Sequence, residues 1–200
     1  MTKLSAILSA FVLVAIVGGT AVYTYVSRPA DCGVTSVVGA SIGGPFELVN
    51  ASSETVTDST VIDRPALVYF GYTFCPDVCP FDMARNALAV DLLKEQGHDV
   101  ALVFVSIDPK RDTPEVLAGY AFDMHPEMIA LSGTAAQVKT AADAYRVYYA
   151  RGEGDDEFYL MDHSTFTYLM FPDNQLGALF KRDDTAETIA EQTACLIKSR

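Results

Sequence analysis

Two cysteines, Cys75 and Cys79, stand four positions apart in "FGYTFCPDVCP". They follow an apolar run and sit among prolines. A thiol redox enzyme more often spaces its pair as C-x-x-C, so two chemistries are open. The pair could cycle between dithiol and disulfide, or it could supply two ligands to a metal ion. At i,i+4 on a helix, both sulfurs face one side with Cβ atoms about 5–6 Å apart. That separation suits one metal ion, and a disulfide after modest adjustment. A helix N-terminus would favour thiolate on the first cysteine. Two thiolates hold a soft ion such as Cu(I). They do not complete a structural zinc site, which wants four ligands.

A third ligand would be a histidine, and there are three: His98, His125 and His163. His98, in "EQGHDV", reads as a solvated loop residue. His125, in "DMHPEM", has Met124 and Met128 as neighbours but reads as loop or core packing. His163 lies in "LMDHSTFTYLMF", directly before an apolar run. The polar Asp162-His163-Ser164 triplet at that place favours His163 as the ligand. Asp162 could orient it or be a plain turn residue.

The elements around these residues alternate. "GGPFELVNASSETVTDST" reads as a hairpin. "ALVYFGY" and "VALVFVSID" are near-continuous apolar runs, as buried strands are. A helix follows each: one from Val78, with Met83, Ala87 and Val90 at helical spacing and Gly97 closing it, and one capped by Asp112 or Thr113. "MIALSG" is a strand, and Thr134 caps a helix over "AAQVKTAADAYRVYYA". A hairpin, "STFTYLMFP" to "GALFK", and a helix over residues 185–198 end the chain. This order predicts an α/β, thioredoxin-like fold with an added N-terminal β-hairpin, and a mainly parallel sheet covered on both faces. Cys75 then falls at the carboxyl end of a strand, where such sheets gather their active groups.

Before this domain, residues 4–26 hold 23 positions and no charge. About 20 apolar residues suffice to cross a bilayer. Lys3 and the amino terminus on one side and Arg28 on the other favour an inside N-terminus. The organisation expected is therefore a cytoplasmic tip (1–3), a transmembrane anchor (4–26), a linker (27–40) and the α/β domain (41–200). A cleaved signal peptide ending near Ala21 is the alternative, but the apolar run continues past it. A single-pass protein of a bacterial inner membrane follows, with its soluble domain in the periplasm. Cys32 and Cys195 lie near the two ends of that domain; a bridge between them is open, but nothing in their spacing demands it.

The whole chain has a net charge of −12. Every Asp and Glu lies beyond the apolar run, so the exported part is more acidic still. That argues against nucleic acid and against lying flat on anionic lipid, and suits either a basic protein partner or solubility alone.

"GGPFELVN", "YFGYTFCPDVCP", "VSIDPKRDTPE", "LSGT" and "YLMDHSTFTYLMFPD" resemble the Sco/SenC family of copper-binding assembly proteins. The resemblance runs from about Gly43 to the end of the chain. It implies one copper ion held by Cys75, Cys79 and His163, as Cu(I), with Cu(II) open. It implies delivery of copper to the dicopper centre of cytochrome c oxidase, or reduction of that centre's cysteines. The partners implied are the copper-receiving oxidase subunit and a second copper chaperone or thiol reductant. Asp108 and Asp112 match acidic positions of the family segment and read as structural or partner-facing. The cis-proline of thioredoxins has no counterpart, since Asp162-His163-Ser164 occupies its region. Cys32 and Cys195 match no family position. A general thiol–disulfide oxidoreductase, with Cys75 attacking, is the alternative function. A peroxiredoxin fits poorly, because Tyr72 stands where that family has threonine.

Overall fold

The apolar runs become the centre of a seven-stranded sheet. The computed structural model describes Leu13, residues 16–20, residues 32–34 and residues 41–200. The strands are β1 (Glu47–Asn50), β2 (Thr55–Thr57), β3 (Ala66–Gly71), β4 (Ala101–Ser106), β5 (Met128–Ser132), β6 (Tyr149–Gly154), β7 (Tyr159–His163), β8 (Thr167–Phe171) and β9 (Gln175–Phe180). The helices are a single turn α1 (Asp58–Val61), α2 (Val78–Glu95), α3 (Pro114–Met124), α4 (Ala135–Ala144) and α5 (Ala186–Lys198). The sheet order is β2-β1-β5-β4-β3-β8-β9.

Every residue of β3 and β4 is buried. Strands without a solvent face need no alternation, which is why their sequences read as unbroken apolar runs. They pair in parallel from Ala66 opposite Ala101 to Gly71 opposite Ser106, and β4 pairs in parallel with β5. The other pairings are antiparallel: β1 with β2 and β5, and β8 with β3 and β9. The expected mainly parallel sheet is therefore corrected to a mixed one. The predicted hairpins close both edges, and hairpins can only add antiparallel strands.

Along α2 the buried positions are Cys79, Asp82, Met83, Asn86, Ala87, Ala89, Val90 and Leu93. They follow helical spacing, but two are polar. Asp82 accepts a hydrogen bond from Tyr69 of β3 at 3.0 Å. Asn86 Nδ2 donates to Thr167 Oγ1 of β8 at 2.8 Å. Arg85 donates to the carbonyls of Lys181 and Arg182 and to Thr167 Oγ1. These bonds orient the helix that carries Cys79. Thr113, rather than Asp112, caps α3, with Pro114 in the first turn. Thr134 caps α4 through a reciprocal bond with Gln137.

Two expectations change. The helix from Thr134 ends at Ala144, not Ala150, because Arg146 adopts φ 56°, outside helical geometry. Tyr145 is fully buried against Phe46, Phe70 and Tyr168. The chain then enters a second, two-stranded sheet, β6–β7. Its turn depends on Gly154 at φ 141°, where a Cβ would strike the carbonyl oxygen of Phe158. His163 therefore ends a strand of its own instead of leading into β8.

The second change concerns Cys32 and Cys195, which form a disulfide. It ties the residues before the sheet to α5 across 163 positions of chain. Gln192 of α5 also donates to the Gly33 carbonyl, at 3.2 Å. The predicted apolar span at residues 4–26 falls mostly outside the described residues. Those described within it, Leu13 and residues 16–20, are helical and exposed. Among the described residues no helix is long and apolar enough to cross a membrane.

Closing so long a loop restricts the unfolded chain. Cys195→Ser should lower stability by roughly 2–5 kcal/mol, read as an earlier urea midpoint under non-reducing conditions. An unchanged midpoint would show that the bridge contributes nothing.

Candidate metal centre

The three predicted ligands come together. Cys75 lies in the loop after β3, Cys79 is the second residue of α2, and His163 ends β7. Their ligand atoms all lie within 4.8 Å of one another, and they form the one such group among the described residues. Cys79 is fully buried, while Cys75 and His163 are half-buried. Cys79 Sγ stands 3.3 Å from His163 Nε2, and the Cys79 amide donates to Cys75 Sγ at 3.4 Å.

The imidazole is aimed by its other nitrogen. His163 Nδ1 lies 2.8 Å from the Ser164 carbonyl oxygen. A carbonyl only accepts, so Nδ1 carries a hydrogen, and it is Nε2 that faces the sulfurs and would offer a metal its lone pair. Ser164 is held in turn by two bonds to Tyr148: its amide donates to the Tyr148 carbonyl at 2.9 Å, and its Oγ accepts from the Tyr148 amide at 3.1 Å. Tyr69 and Tyr72 meet the imidazole edge-on, with centroids 6.2 and 5.9 Å away. Gly71 leaves room for the metal-side thiol. A Cβ there would stand 3.1 Å from Cys79 Sγ and 2.9 Å from the Tyr69 ring.

Two buried carboxylates of the "SIDPKRDTPE" segment hold the parts together, a role the sequence reading left between structural and partner-facing. Asp112 accepts from the Thr73 amide at 3.1 Å, Thr73 Oγ1 at 2.6 Å and Ser106 Oγ at 2.5 Å. It fixes the loop two residues before Cys75. Asp108 accepts from Tyr159 Oη at 2.7 Å and pairs with Arg111. Arg111 also donates to the Tyr159 carbonyl at 2.9 Å and lies over the Tyr159 ring at 3.6 Å and the Phe74 ring at 4.8 Å. It fixes the strand that ends in His163. The signal available in the sequence was the density of Asp and Arg between a buried strand and a helix cap.

The other candidates are elsewhere. His125 is buried as expected; its Nδ1 accepts from the Glu127 amide at 3.2 Å, which leaves Nε2 to donate to Asp91 at 3.3 Å. His98 is half-buried, and its Nε2 is enclosed without a hydrogen-bond partner among the described residues, so the solvated reading is corrected. Asp162 is exposed and pairs with Ala150 across the hairpin, so it is not a turn residue. Strand alternation turns it away from the face that His163 uses.

The two thiols differ. Hydrogen bonding from Cys79, and then from His163 and the amides of Cys79 and Asp77, holds Cys75 well below the ordinary thiol value against the opposing effect of burial. Cys79 is pushed the other way by its bond to Cys75 and by burial. The reduced site thus holds one thiolate and one thiol. Iodoacetamide should label Cys75 almost as fast at pH 6 as at pH 8, with Cys79 refractory, by peptide mapping of the reduced chain. A Cys75 rate that climbs tenfold per pH unit across that range would contradict this assignment.

Comparison with known proteins places the chain among relatives. The SCO1/SenC family model matches residues 35–198. Protein SenC of Rhodobacter capsulatus is 47% identical over 203 aligned positions, covering 98% of this chain and 91% of its own. Arabidopsis thaliana ScoI, solved with copper bound, is 36% identical with a TM-score of 0.76, covering 80% of this chain and 99% of that one. Bradyrhizobium japonicum ScoI, also solved with copper bound, is 34% identical with a TM-score of 0.70 over the same shares. The family model and the SenC relative each match most of this chain: this protein belongs to the SCO1/SenC family.

Proposed function

We propose that this chain binds one copper ion through Cys75, Cys79 and His163 and delivers it to the dicopper centre of cytochrome c oxidase. One observation carries the reading: two sulfurs and an imidazole lone pair converge within 4.8 Å, with Nδ1 already committed to a carbonyl. Two thiolates and an imidazole are soft enough for Cu(I). Three donors leave the cargo open to an incoming thiolate, so copper can pass by ligand exchange. Binding releases the Cys79 proton, so loading weakens as the pH falls. The copper-bound ScoI structures of two relatives support the choice of metal, and the family resemblance supports the oxidase as destination.

The same pair supports a second reading, reduction of the oxidase cysteines. Cys75 is the half-exposed thiolate and Cys79 the buried neighbour. Cys75 would attack a partner disulfide and release one partner thiolate. Cys79 would then displace the other, leaving a Cys75–Cys79 disulfide and a reduced partner. A thiol reductant must supply two electrons by exchange and restore the dithiol before copper binds again.

Residues 4–26 serve as a single-pass anchor in a bacterial inner membrane, with the domain in the periplasm. Their length and lack of charge support this. So does the Cys32–Cys195 disulfide, a bond that persists in oxidising compartments.

The test is Cu(I) loading of the reduced chain. The wild type should take one ion, while Cys75→Ser, Cys79→Ser and His163→Ala should each lose more than the roughly 10–100-fold that removal of a supporting residue costs. Unchanged stoichiometry and affinity in all three would end the copper reading. Turnover of a protein disulfide that survives His163→Ala without copper would favour the second.

A further inference from the structure

The segments that carry the site also carry large apolar side chains in solvent. Phe74, beside Cys75, is 48% exposed. Phe158 and Leu160, on the β6–β7 hairpin that ends in His163, are 65% and 52% exposed. Phe166, three residues beyond His163, is 40% exposed. Phe74 and Phe158 are in ring contact, with centroids 6.2 Å apart. The apolar surface therefore bridges the cysteine loop and the histidine hairpin. Single exposed apolar residues are ordinary, but a joined cluster beside a site marks a surface that another molecule covers.

The charge beside the cluster narrows what that molecule is. The hairpin turn reads "EGDDE", and Glu153, Asp155, Asp156 and Glu157 are all exposed. Asp155 accepts from the amides of Glu157 and Phe158, which fixes the turn and the position of Phe158. The nearby cations are already engaged. Arg151 lies over the Tyr159 ring at 4.2 Å and pairs with Asp156 at 3.3 Å, and Lys110 also pairs with Asp156. Glu153 and Glu157 have no ion-pair partner among the described residues. An anionic bilayer surface or a nucleic acid would be repelled by such a turn.

We infer that the outer face of the β6–β7 hairpin, continued by Phe74, is where the copper-accepting protein docks, and that this partner presents an apolar cluster rimmed by Lys and Arg. Docking there places the partner beside Cys75, the exposed member of the pair, without displacing any of the three donors. The apolar core supplies affinity, and the acidic turn sets the approach and orientation. The partner's identity rests on the copper-delivery reading; the surface itself does not.

The experiment measures binding of the full-length apo chain, in detergent micelles, to the soluble apo dicopper domain of cytochrome c oxidase. Phe158→Ser combined with Leu160→Ser should weaken the Kd at least about tenfold, as loss of a central apolar contact does, while Cu(I) stoichiometry stays at the wild-type value. Glu153→Gln combined with Glu157→Gln should slow association and flatten its salt dependence. Wild-type affinity in the Phe158/Leu160 variant, or no measurable binding by the wild-type chain, overturns the proposal. So does quenching of Leu160→Trp, the only Trp in that chain, by brominated lipid in nanodiscs of phosphatidylethanolamine and phosphatidylglycerol, which would assign the face to the bilayer. Copper loading is read on the isolated chain. A failure of docking with loading intact therefore rejects this surface alone, and a failure of loading with docking intact rejects the copper reading alone.

Discussion

The site depends on one short loop holding two distant segments at once. Cys79 and His163 are 84 positions apart, yet their donor atoms stand 3.3 Å apart. Asp112 fastens the cysteine loop through Thr73, and Asp108 with Arg111 fastens the histidine strand through Tyr159. Both carboxylates are almost fully buried. A buried carboxylate is costly unless donors surround it. Here the donors that satisfy each one are the segments to be positioned, so satisfying the charge and assembling the site are the same event. Burial still raises the Asp112 pKa against its bonds to Ser106 and Thr73.

The same packing sets the chemistry of the donors. A buried Cys79, bonded to its partner, keeps its proton, and Cys75 becomes the thiolate. Gly71 and the edge-on tyrosine rings bring the sulfur close to the imidazole without filling the space between them. The reduced pair that would attack a disulfide is also the pair that would hold copper, so the two proposed activities share a starting state. They part at His163, which the copper reading needs as a ligand and the redox reading only as a neighbour of Cys75.

Much of this was legible in the sequence, and the gaps have physical causes. Strands buried on both faces announce themselves as apolar runs, so β3 and β4 were plain. Cap residues marked α3 and α4. The close spacing of Cys75 and Cys79 pointed to one place, although Cys75 lies in the loop before α2 and not on the helix, and the polar triplet before β8 singled out His163. The β6–β7 hairpin was hidden because "YRVYYA" continues the apolar spacing of the helix before it, and only the left-handed Arg146 breaks that continuity. Cysteine spacing carries no information about a bridge spanning 163 positions, which the fold alone brings together. The local density of Asp and Arg was visible, but the clamp roles of Asp108 and Asp112 were not, because the Tyr159 and Thr73 that they fasten lie on other elements.

The central claim is that the clamp, and not the ligands alone, makes the donor set. X-ray absorption at the copper edge of the Cu(I)-loaded chain tests it most directly, comparing the wild type with Asp108→Asn and with the milder Tyr159→Phe. The account predicts two sulfur scatterers and one imidazole in the wild type, with the imidazole signal lost or reduced in the variants while both sulfurs remain. An identical two-sulfur, one-imidazole shell in all three chains would contradict it.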